Sequence, residues 1–369
     1  MIIGVPKEIK TGENRVAMTP QGLRELKGEG HTILVEKGAG AGAGFSDRSY
    51  AEAGGEISSA GDVWERAVLI SKVKEPLPEE YPLLKEGHTL FTFLHLAADY
   101  ELTKVLLEKK ITAVAYETVT DLRGNLPLLR PMSAVAGALS IQAGATGLEK
   151  QRGGRGILLP GIAETKPATV TIVGAGISGS MAARVASGMG ADVTVLDIVS
   201  EKLERIRDIT MQRAKTLLSA PEPLAREAAR SDLLILTVLI PGRSAPRLIK
   251  EEMVSAMKPG ACIVDISIDQ GGAAETSRPT TLKDPYFVTR GVVHYCVTNM
   301  PSAVPLTSTW ALTSATLPYI KKIASSGINT CLREDPGIKD GLNTYMGNIT
   351  CRGVAESFSE EYVPFEKIS

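Results

Sequence analysis

The stretch TIVGAGISGSMAARVASGMGADVTVLD, which runs from Thr171 to Asp197, decides the fold of this chain. An apolar run precedes three glycines spaced G-x-G-x-x-G, a segment of small residues follows them, and a second apolar run ends at an aspartate. That order predicts a strand, a tight turn, a helix and a second strand, which is the βαβ unit that binds dinucleotides in doubly wound sheets. We therefore expect an α/β fold with a dinucleotide site at this turn.

Each of the three glycines of the turn is needed for a different physical reason. Gly174 permits the tight turn, Gly176 lets the backbone approach a pyrophosphate, and Gly179 lets the helix pack closely against the strand. The helix N-terminus then presents free N–H groups and the positive end of the helix dipole to the phosphates. We predict that this turn binds the pyrophosphate.

Asp197 indicates which dinucleotide is bound. It ends the second strand roughly 20 residues after the glycines, the separation at which a carboxylate binds the ribose hydroxyls. A carboxylate there disfavours the 2′-phosphate of NADP, and the following residues, IVSEK, do not begin with the arginine that NADP enzymes place nearby. Because no second segment suited to a flavin is apparent, NAD is favoured over FAD as well.

The composition is that of a two-domain globular protein. A length of 369 residues exceeds one ordinary hydrophobic core. The 41 Lys and Arg against 42 Asp and Glu, without blocks of like charge, disfavour a nucleic acid or a membrane surface as partner. The apolar runs are too short to span a bilayer, and the amino terminus lacks a signal-peptide pattern.

The cysteines indicate a reducing compartment. Cys262, Cys296, Cys331 and Cys351 are scattered without a CxxC spacing. This argues against a zinc site and against a disulfide framework. We expect a cytoplasmic protein without a metal.

Two blocks of the chain alternate strand-like runs with helical stretches, which indicates parallel sheets covered on both faces. In the first block, strands are predicted in MIIGVP, HTILVEKG, AVLISKVKEP, HTLFTFLHL and ITAVAYETV, and a helix with a Thr-Pro start in TPQGLRELKGEG. In the second block, strands are predicted in ATVTIVG, ADVTVLD, SDLLILTVLIP and GACIVDISID.

The segments between and after these blocks set the predicted domain boundaries. MSAVAGALSIQAGATGLEK predicts a helix of small residues suited to close packing, and TSTWALTSATLPYIKKIASSG predicts another helix with little strand potential beyond it. We predict two Rossmann-like domains. A discontinuous substrate domain, residues 1–131 and 301–369, contains the inserted NAD-binding domain, residues 132–300.

The four histidines are candidates for acid–base work. His31 and His88 each follow a glycine and begin a strand, so we expect exposed structural residues. His294 lies within GVVHYCV, where a satisfied strand histidine is the better interpretation. His95 closes the strand LFTFL at its carboxyl end, where it could face a cofactor, although the pattern alone favours a structural role.

Three cations and one carboxylate occupy strand ends or the loops after them. Lys72 and Lys74 fall on one face if their strand continues, and two such lysines are ordinarily solvated. Arg15 is by default an ordinary loop arginine, although it could bind a carboxylate in a bidentate manner. Asp269 follows the strand IVDIS, and its position supports a place beside nicotinamide and a turn-forming role equally.

Several segments, which keep their order from Met1 to roughly Gly353, resemble those of NAD-dependent alanine dehydrogenases. They are GVPKEIKTGENRVAMTP, KVKEP, LFTFLHLA, AYETV, PMSAVAG, the glycine turn, VDISIDQGG, SRPTT and NMPSAVPLTSTWALT. The resemblance extends to the related nucleotide-binding subunit of proton-translocating transhydrogenase, which shares the fold. It is far more specific than the glycine motif alone.

The resemblance implies a reversible reaction in which L-alanine, NAD+ and water give pyruvate, ammonium and NADH. It implies that Arg15 and Lys74 hold the pyruvate carboxylate and polarise its carbonyl oxygen. It makes His95 the general acid/base and Asp269 the carboxylate beside nicotinamide and the reacting nitrogen. Further positions match cofactor-contacting positions of the family: Ser133, Ile177, Ser178, Asp197, Lys202, Ser219, Leu239, Arg278 and Met300.

Assembly and substrate pocket are also expectations from the resemblance. It implies a homohexamer, for which the VAGALSIQAGA helix is a candidate contact. Phe93, Leu129 and Met132 are candidates for lining the side-chain pocket, and a small apolar pocket discriminates by only about 1–3 kcal/mol per methylene. One departure is LLPGIAETKPA, which replaces the glycine-rich run that the family usually has before the first strand of the NAD-binding domain.

Two other functions stay open. A transhydrogenase-type subunit would exchange hydride with a second nucleotide, would not need Lys74 and His95 together, and would usually be followed by membrane-spanning segments, which this sequence does not contain. A non-catalytic, NAD-binding regulatory protein would need neither residue. The presence of Arg15, Lys74, His95 and Asp269 together argues against it.

Overall fold

A computed structural model describes residues 1–238 and 245–368 of the chain. The chain folds into two compact units. The first unit comprises Met1–Met132 and Val304–Ser369, and the second unit comprises Ser133–Ala303. Each unit contains one sheet with mainly parallel strands, which confirms the predicted α/β class.

The strands of the described residues are numbered along the chain. They are β1 Ile2–Val5, β2 Thr32–Glu36, β3 Glu56–Ser58, β4 Leu69–Ser71, β5 Thr89–Thr92, β6 Thr112–Ala115, β7 Thr169–Val173, β8 Asp192–Asp197, β9 Lys215–Leu218, β10 Leu233–Leu236, β11 Cys262–Asp265, β12 Tyr286–Thr289, β13 Val292–Tyr295, β14 Leu342–Tyr345 and β15 Asn348–Ile349.

The α-helices are numbered in the same way. They are α1 Pro20–Gly28, α2 Asp47–Glu52, α3 Ala60–Arg66, α4 Tyr100–Glu108, α5 Arg130–Gly147, α6 Ile177–Gly188, α7 Ser200–Ile209, α8 Pro221–Arg230, α9 Glu251–Ser255, α10 Pro305–Ser326, α11 Ile328–Glu334, α12 Pro336–Asp340 and α13 Arg352–Phe358. None of the helices in residues 1–238 and 245–368 is both long enough and apolar enough to cross a membrane.

The first unit has a sheet in the order β15-β14-β6-β5-β4-β1-β2-β3. Strands β1 to β6 pair in parallel, and β4, β5 and β1 are almost entirely buried, as in parallel sheets covered on both faces. Helix α1 begins as predicted, since the Thr19 side chain accepts a hydrogen bond from the N–H of Gly22 and Pro20 takes the first helical position.

Strands β14 and β15 correct the expectation of little strand potential after α10. They form an antiparallel hairpin, and β14 also pairs antiparallel with β6. Met346 and Gly347 connect them with φ of 47° and 80°, as a two-residue hairpin turn requires. The prediction was wrong because β14 is polar, yet its Thr344 is fully buried with the hydroxyl donating to the carbonyl of Ile111.

The second unit has a sheet in the order β12-β13-β11-β10-β7-β8-β9. The four predicted strands β7, β8, β10 and β11 are its centre and pair in parallel. Strands β9 and β12 at the two edges were not predicted from the sequence. Both carry exposed or half-buried side chains, so their apolar signal is weak.

Helix α5 packs closely, as its small residues predict. A Cβ added at Gly137 would overlap the carbonyl oxygen of Ser178, and one at Gly144 would lie 2.5 Å from the side chain of Leu233. These glycines therefore occupy the second unit's own interior. The glycine face of α5 is not the free surface that a contact between subunits needs.

Candidate active site

The carboxyl ends of four neighbouring parallel strands, β6, β5, β4 and β1, lie side by side in the sheet of the first unit. Glu117 follows β6, His95 follows β5, Lys74 follows β4, and Arg15 lies in the loop after β1. Ligands of open α/β sheets bind beyond the carboxyl ends of the strands. The structure thus brings the three predicted residues of this unit to the edge where a ligand is expected.

His95 is exposed, and the backbone that carries it is tightly held. Its side chain is 49% exposed, while its φ of 52° lies in the left-handed region that costs a non-glycine residue about 1–3 kcal/mol. The Glu117 carboxylate accepts hydrogen bonds from the N–H of Leu94 at 3.2 Å and of His95 at 2.6 Å. The ring of Phe93 stacks parallel to the imidazole at 5.9 Å between centroids. An accessible imidazole in a fixed orientation can give and take protons.

Arg15 is a buried residue and not the ordinary loop arginine expected by default. The Glu13 carboxylate accepts from its Nε at 2.7 Å and from its Nη2, so the pair is bidentate. Nη1 lies 3.0 Å from the sulfur of Met132, a predicted pocket residue. Because both Arg15 and Glu13 are buried, the guanidinium is held in one orientation.

Lys72 and Lys74 differ, and the expectation that both are solvated was wrong. Lys72 is fully buried, with its Nζ 2.7 Å from Oε1 of Glu80 and 3.3 Å from Oε2 of Glu8. Burial alone would lower the pKa of Lys72, but these two carboxylates raise it overall, so the ammonium form is retained. Lys74 is half-buried and follows the buried residues Lys72 and Val73.

Three histidines are buried and are therefore unsuited to acid–base catalysis. His31 and His88 are buried, which corrects the expectation that they are exposed. Nε2 of His88 lies 2.9 Å from the carbonyl of Trp64, and burial lowers the pKa of His88 to about 4. His294 is the predicted satisfied strand histidine, with its nitrogens 3.0 Å from the carbonyl of Val292 and 2.8 Å from the hydroxyl of Thr276.

The glycine turn of the second unit has the predicted geometry. Gly174 has φ of 104°, and a Cβ there would lie 2.6 Å from the hydroxyl oxygen of Thr237. A Cβ at Gly179 would overlap the carbonyl oxygen of Gly174, so only glycine lets α6 pack this close to β7. Among residues 1–238 and 245–368, a Cβ at Gly176 would meet no atom within 4 Å. The backbone at Gly176 therefore borders open space at the N-terminus of α6, which is where a pyrophosphate fits.

Asp197 holds the glycine turn in place. Its Oδ2 accepts from the N–H of Ala175 at 2.6 Å, and its Oδ1 accepts from the N–H of Val199 at 2.9 Å. A carboxylate has roughly four acceptor sites, so these two bonds leave capacity for ribose hydroxyls. The turn and the carboxylate together fit a dinucleotide.

Asp269 is exposed on a 3-10 turn, Ile266–Gln270, that follows β11. Its Oδ1 accepts from the N–H of Asn299 at 3.0 Å. Buried Asp265 anchors the turn by accepting from the N–H groups of Ser267 and Ala273. The position after a central strand suits a ligand contact, and the bond to Asn299 also gives Asp269 a structural role.

The remaining predicted cofactor positions are spread along the second unit. Ile177 and Ser178 open α6, Ser133 lies in α5, Lys202 in α7, Ser219 directly after β9, Arg278 in the loop before β12, and Met300 at the start of the 3-10 turn Met300–Ala303. Ser219 is next to Asp197, since its N–H donates to the Asp197 carbonyl at 2.9 Å. The guanidinium of Arg278 stacks 4.1 Å from the ring centre of Phe287 on β12. Leu239 lies outside the described residues.

The carboxylates that hold these groups were not predicted from the sequence. Glu117 directly follows the strand ITAVAY and could have been found by the strand-end rule that selected His95. Glu8, Glu13 and Glu80 lie in loops, where no periodic pattern marks burial. Within the described part of the chain, no group of three or more His, Cys, Asp or Glu side chains is arranged to hold a metal ion.

Two family models match the chain. The model for the N-terminal domain of alanine dehydrogenase/PNT matches residues 4–136, and the model for its C-terminal domain matches residues 140–352. The alanine dehydrogenase of Halomonas elongata is 52% identical over 98% of both chains, and that of Bacillus subtilis is 52% identical over 100% of this chain and 97% of its own. A solved structure of an L-alanine dehydrogenase superposes with a TM-score of 0.94 at 46% identity, and the match covers 97% of this chain and 99% of that one.

Proposed function

This chain belongs to the alanine dehydrogenase/PNT family, and we propose that it catalyses the reversible, NAD-dependent oxidative deamination of L-alanine to pyruvate and ammonium. The observation that carries the proposal is the similarity to alanine dehydrogenases, which extends over the whole chain at 52% identity. The cations and the histidine at the strand edge of the first unit are the groups such a reaction needs.

The second unit binds NAD. Gly174, Gly176 and Gly179 form the phosphate-binding turn, and Asp197 binds the ribose hydroxyls. Bound NAD supplies the acceptor for the hydride that leaves the α-carbon of alanine. The open space beside Gly176 and the spare acceptor capacity of Asp197 support this assignment. The wider set of cofactor contacts is Ser133, Ile177, Ser178, Lys202, Ser219, Leu239, Arg278 and Met300.

Arg15 and Lys74 bind and orient the substrate. Both are cationic, so they neutralise the carboxylate of a 2-oxo acid, and Lys74 polarises its carbonyl oxygen. The bidentate bond from Glu13 fixes the Arg15 guanidinium before substrate arrives, which lowers the entropy cost of binding. Met132, in contact with Arg15, lines the side of the pocket that receives the methyl group.

His95 moves protons, and Asp269 stabilises positive charge. In deamination, His95 accepts a proton from the water that adds to the imine carbon and returns a proton to the nitrogen as ammonia leaves. In amination, the same protons move in the opposite direction. Asp269 stabilises the iminium and the ammonium, as a neutral side chain would do less well.

The cellular compartment, the assembly and the direction of the reaction also belong to the proposal. It works in the cytoplasm as a homohexamer that degrades L-alanine. The cysteines Cys262, Cys296, Cys331 and Cys351 are free, and three of them are buried, which suits a reducing compartment. The hexamer rests on the family resemblance, and its contacts lie away from the glycine face of α5.

The test follows NADH absorbance in two mixtures, one with pyruvate, ammonium and NADH and one with alanine and NAD+. We expect ammonium-dependent loss of NADH in the first mixture. In the second we expect gain of NADH with L-alanine and not with D-alanine, and little reaction with NADP+. Binding of NADH without turnover of any amino acid would contradict the proposal and favour a transhydrogenase-type subunit or an NAD-binding regulatory protein.

A further inference from the structure

We propose that Glu8 and Thr92 are positioning residues that hold Lys74 in place for the substrate, a role that rests on the function proposed above. Neither side chain needs to touch the substrate for this role. Both act through the main chain of the segment that carries Lys74. Buried Lys72 acts with them, because it holds the Glu8 carboxylate.

The segment that carries Lys74 continues β4 only in part. Beyond Ser71, the N–H of Lys72 still donates to the carbonyl of Phe91 at 3.2 Å, and the N–H of Phe93 donates to the carbonyl of Val73 at 3.3 Å. This ladder ties Lys72 and Val73 to the end of β5. The peptide groups of Lys74 lie beyond it, so side chains must fix them.

Glu8 and Thr92 fix these peptide groups from the two sides of β4, where β1 and β5 lie. Oε1 of Glu8, from the loop after β1, accepts from the N–H of Val73 at 2.6 Å and from the N–H of Lys74 at 3.4 Å. The hydroxyl of Thr92, the last residue of β5, donates to the carbonyl of Lys74 at 3.0 Å. The main chain of Lys74 is therefore held on both sides by buried side chains.

Lys72 keeps the Glu8 carboxylate where the main chain needs it. Its Nζ lies between Oε2 of Glu8 at 3.3 Å and Oε1 of Glu80 at 2.7 Å. Oε2 of Glu80 in turn accepts from the N–H of Leu77 at 2.9 Å. A buried ion group of this kind contributes little to the free energy of unfolding, because desolvation of the charges offsets their attraction. Because its Glu8 carboxylate accepts from the N–H groups of Val73 and Lys74, its role is to set the position of Lys74.

The first test compares two isosteric substitutions in one sheet. Thr92→Val removes the hydroxyl bonded to the Lys74 carbonyl, and Thr344→Val removes a matched hydroxyl that donates to the Ile111 carbonyl at 2.9 Å. Both threonines are fully buried. Ile111 directly precedes β6 and so lies at the amino-terminal ends of the parallel strands, whereas Lys74 lies at their carboxyl ends. Each variant removes one hydrogen bond made by a fully buried hydroxyl, so the midpoint temperature of thermal unfolding should fall in both.

The kinetic constants distinguish positioning from stability. Thr92→Val should raise the KM for pyruvate about tenfold and leave the KM for NADH unchanged, since a lost bond of this kind corresponds to about a tenfold change. Thr92→Ser, which keeps the hydroxyl, should restore the KM for pyruvate. Thr344→Val should leave both KM values as in the wild type.

Glu8→Gln tests the other side of the segment. The amide keeps one oxygen for the N–H of Val73 but removes the charge that Lys72 binds, so we expect a rise in the KM for pyruvate of at least tenfold. Wild-type KM for pyruvate in Thr92→Val, or an equal rise in Thr344→Val, would overturn the inference even if Glu8→Gln does not fold. A wild-type chain without alanine turnover would overturn the proposed function and this inference with it.

Discussion

The two units present their proposed ligand-binding groups at the carboxyl ends of their strands by different means. The first unit presents the side chains of Arg15, Lys74 and His95. Glu13 holds the guanidinium of Arg15, Glu8 accepts from the N–H of Lys74, and Glu117 accepts from the N–H of His95. The second unit presents main-chain N–H groups at a turn of small residues. A small substrate with its own charge needs side chains, whereas a pyrophosphate can be bound by backbone.

In both units, carboxylates hold the backbone of the loops that follow the strands. Asp197 accepts from the N–H of Ala175 in the glycine turn, and Glu117 accepts from the N–H of His95. In each case a buried or half-buried acid fixes a loop that a strand end cannot fix alone. What differs is the group that the loop offers to the ligand.

The largest effect is expected from His95→Ala. General acid–base catalysis contributes about 10²–10⁴-fold, so kcat for deamination should fall by roughly 10³-fold. Binding of NADH belongs to the other unit and should not change. Stopped-flow turnover and a fluorescence titration with NADH measure the two quantities. Full turnover in this variant would remove His95 from the mechanism and leave the fold untouched.

A pair of glycine variants should separate folding from binding in the second unit. Gly179→Ala places a methyl group onto the carbonyl of Gly174, so the turn must move, and both thermal stability and NADH binding should fall by a large margin. The methyl group of Gly176→Ala would meet no atom of the described part of the chain within 4 Å, so the free energy of unfolding should be unchanged.

The affinity of Gly176→Ala for NADH should nevertheless fall, by about tenfold or more, because the methyl group occupies space proposed for the pyrophosphate. Thermal unfolding without cofactor and isothermal titration with NADH give the two readouts. Unchanged affinity in Gly176→Ala would place the pyrophosphate elsewhere.

The same contrast explains what the sequence could predict. The glycine turn follows from local rules, since Gly174 has a positive φ and Gly179 packs against the carbonyl of Gly174 within one βαβ unit. The edge of the first unit depends on contacts between segments far apart in the chain, such as Glu8 with Lys72 and Glu117 with His95. A lysine or an arginine in a loop has no periodic pattern, so its burial could not be predicted.

Strand prediction failed where burial and polarity disagree. Strand β14, LNTY, is buried through hydrogen-bonded Asn343 and Thr344, which no hydrophobic pattern marks. Helix α5 shows the opposite case, since its small residues predicted close packing but not which surface they meet. The proposed roles of Arg15, Lys74 and His95 came from resemblance to a family, because strand ends alone left them open.

A smaller effect is expected from Glu117→Gln. The amide keeps an acceptor for the N–H of His95 but loses the charge and one carboxylate oxygen, so the left-handed backbone at His95 should be held less firmly. We expect kcat to fall about tenfold, with binding of NADH unchanged. Glu86→Gln, an exposed acid in the same unit, is the control and should behave as wild type. If both variants kept wild-type kcat, the support by Glu117 would have no part in catalysis.

The last comparison concerns the scaffolds of the two units, each of which contains a deeply buried histidine. Burial lowers the pKa of His88 in the first unit and of His294 in the second to about 4, below the ordinary value of roughly 6.5. As pH falls from about 6.5 to about 4, the unfolded chain takes up a proton that the folded chain excludes. The free energy of unfolding therefore decreases over that window, by at most about 1.4 kcal/mol per pH unit for each histidine.

Two glutamine variants assign this pH dependence to the separate units. Both tryptophans, Trp64 and Trp310, lie in the first unit, so their fluorescence reports unfolding of that unit, whereas circular dichroism reports both. His88→Gln should flatten the pH dependence of unfolding between about pH 4 and 6.5 when it is followed by fluorescence. His294→Gln should flatten it only in circular dichroism, since His294 is packed within the second sheet. Equal flattening of the fluorescence signal by both variants would mean that the two units unfold as one, and the contrast between them would then be confined to their ligand-binding edges.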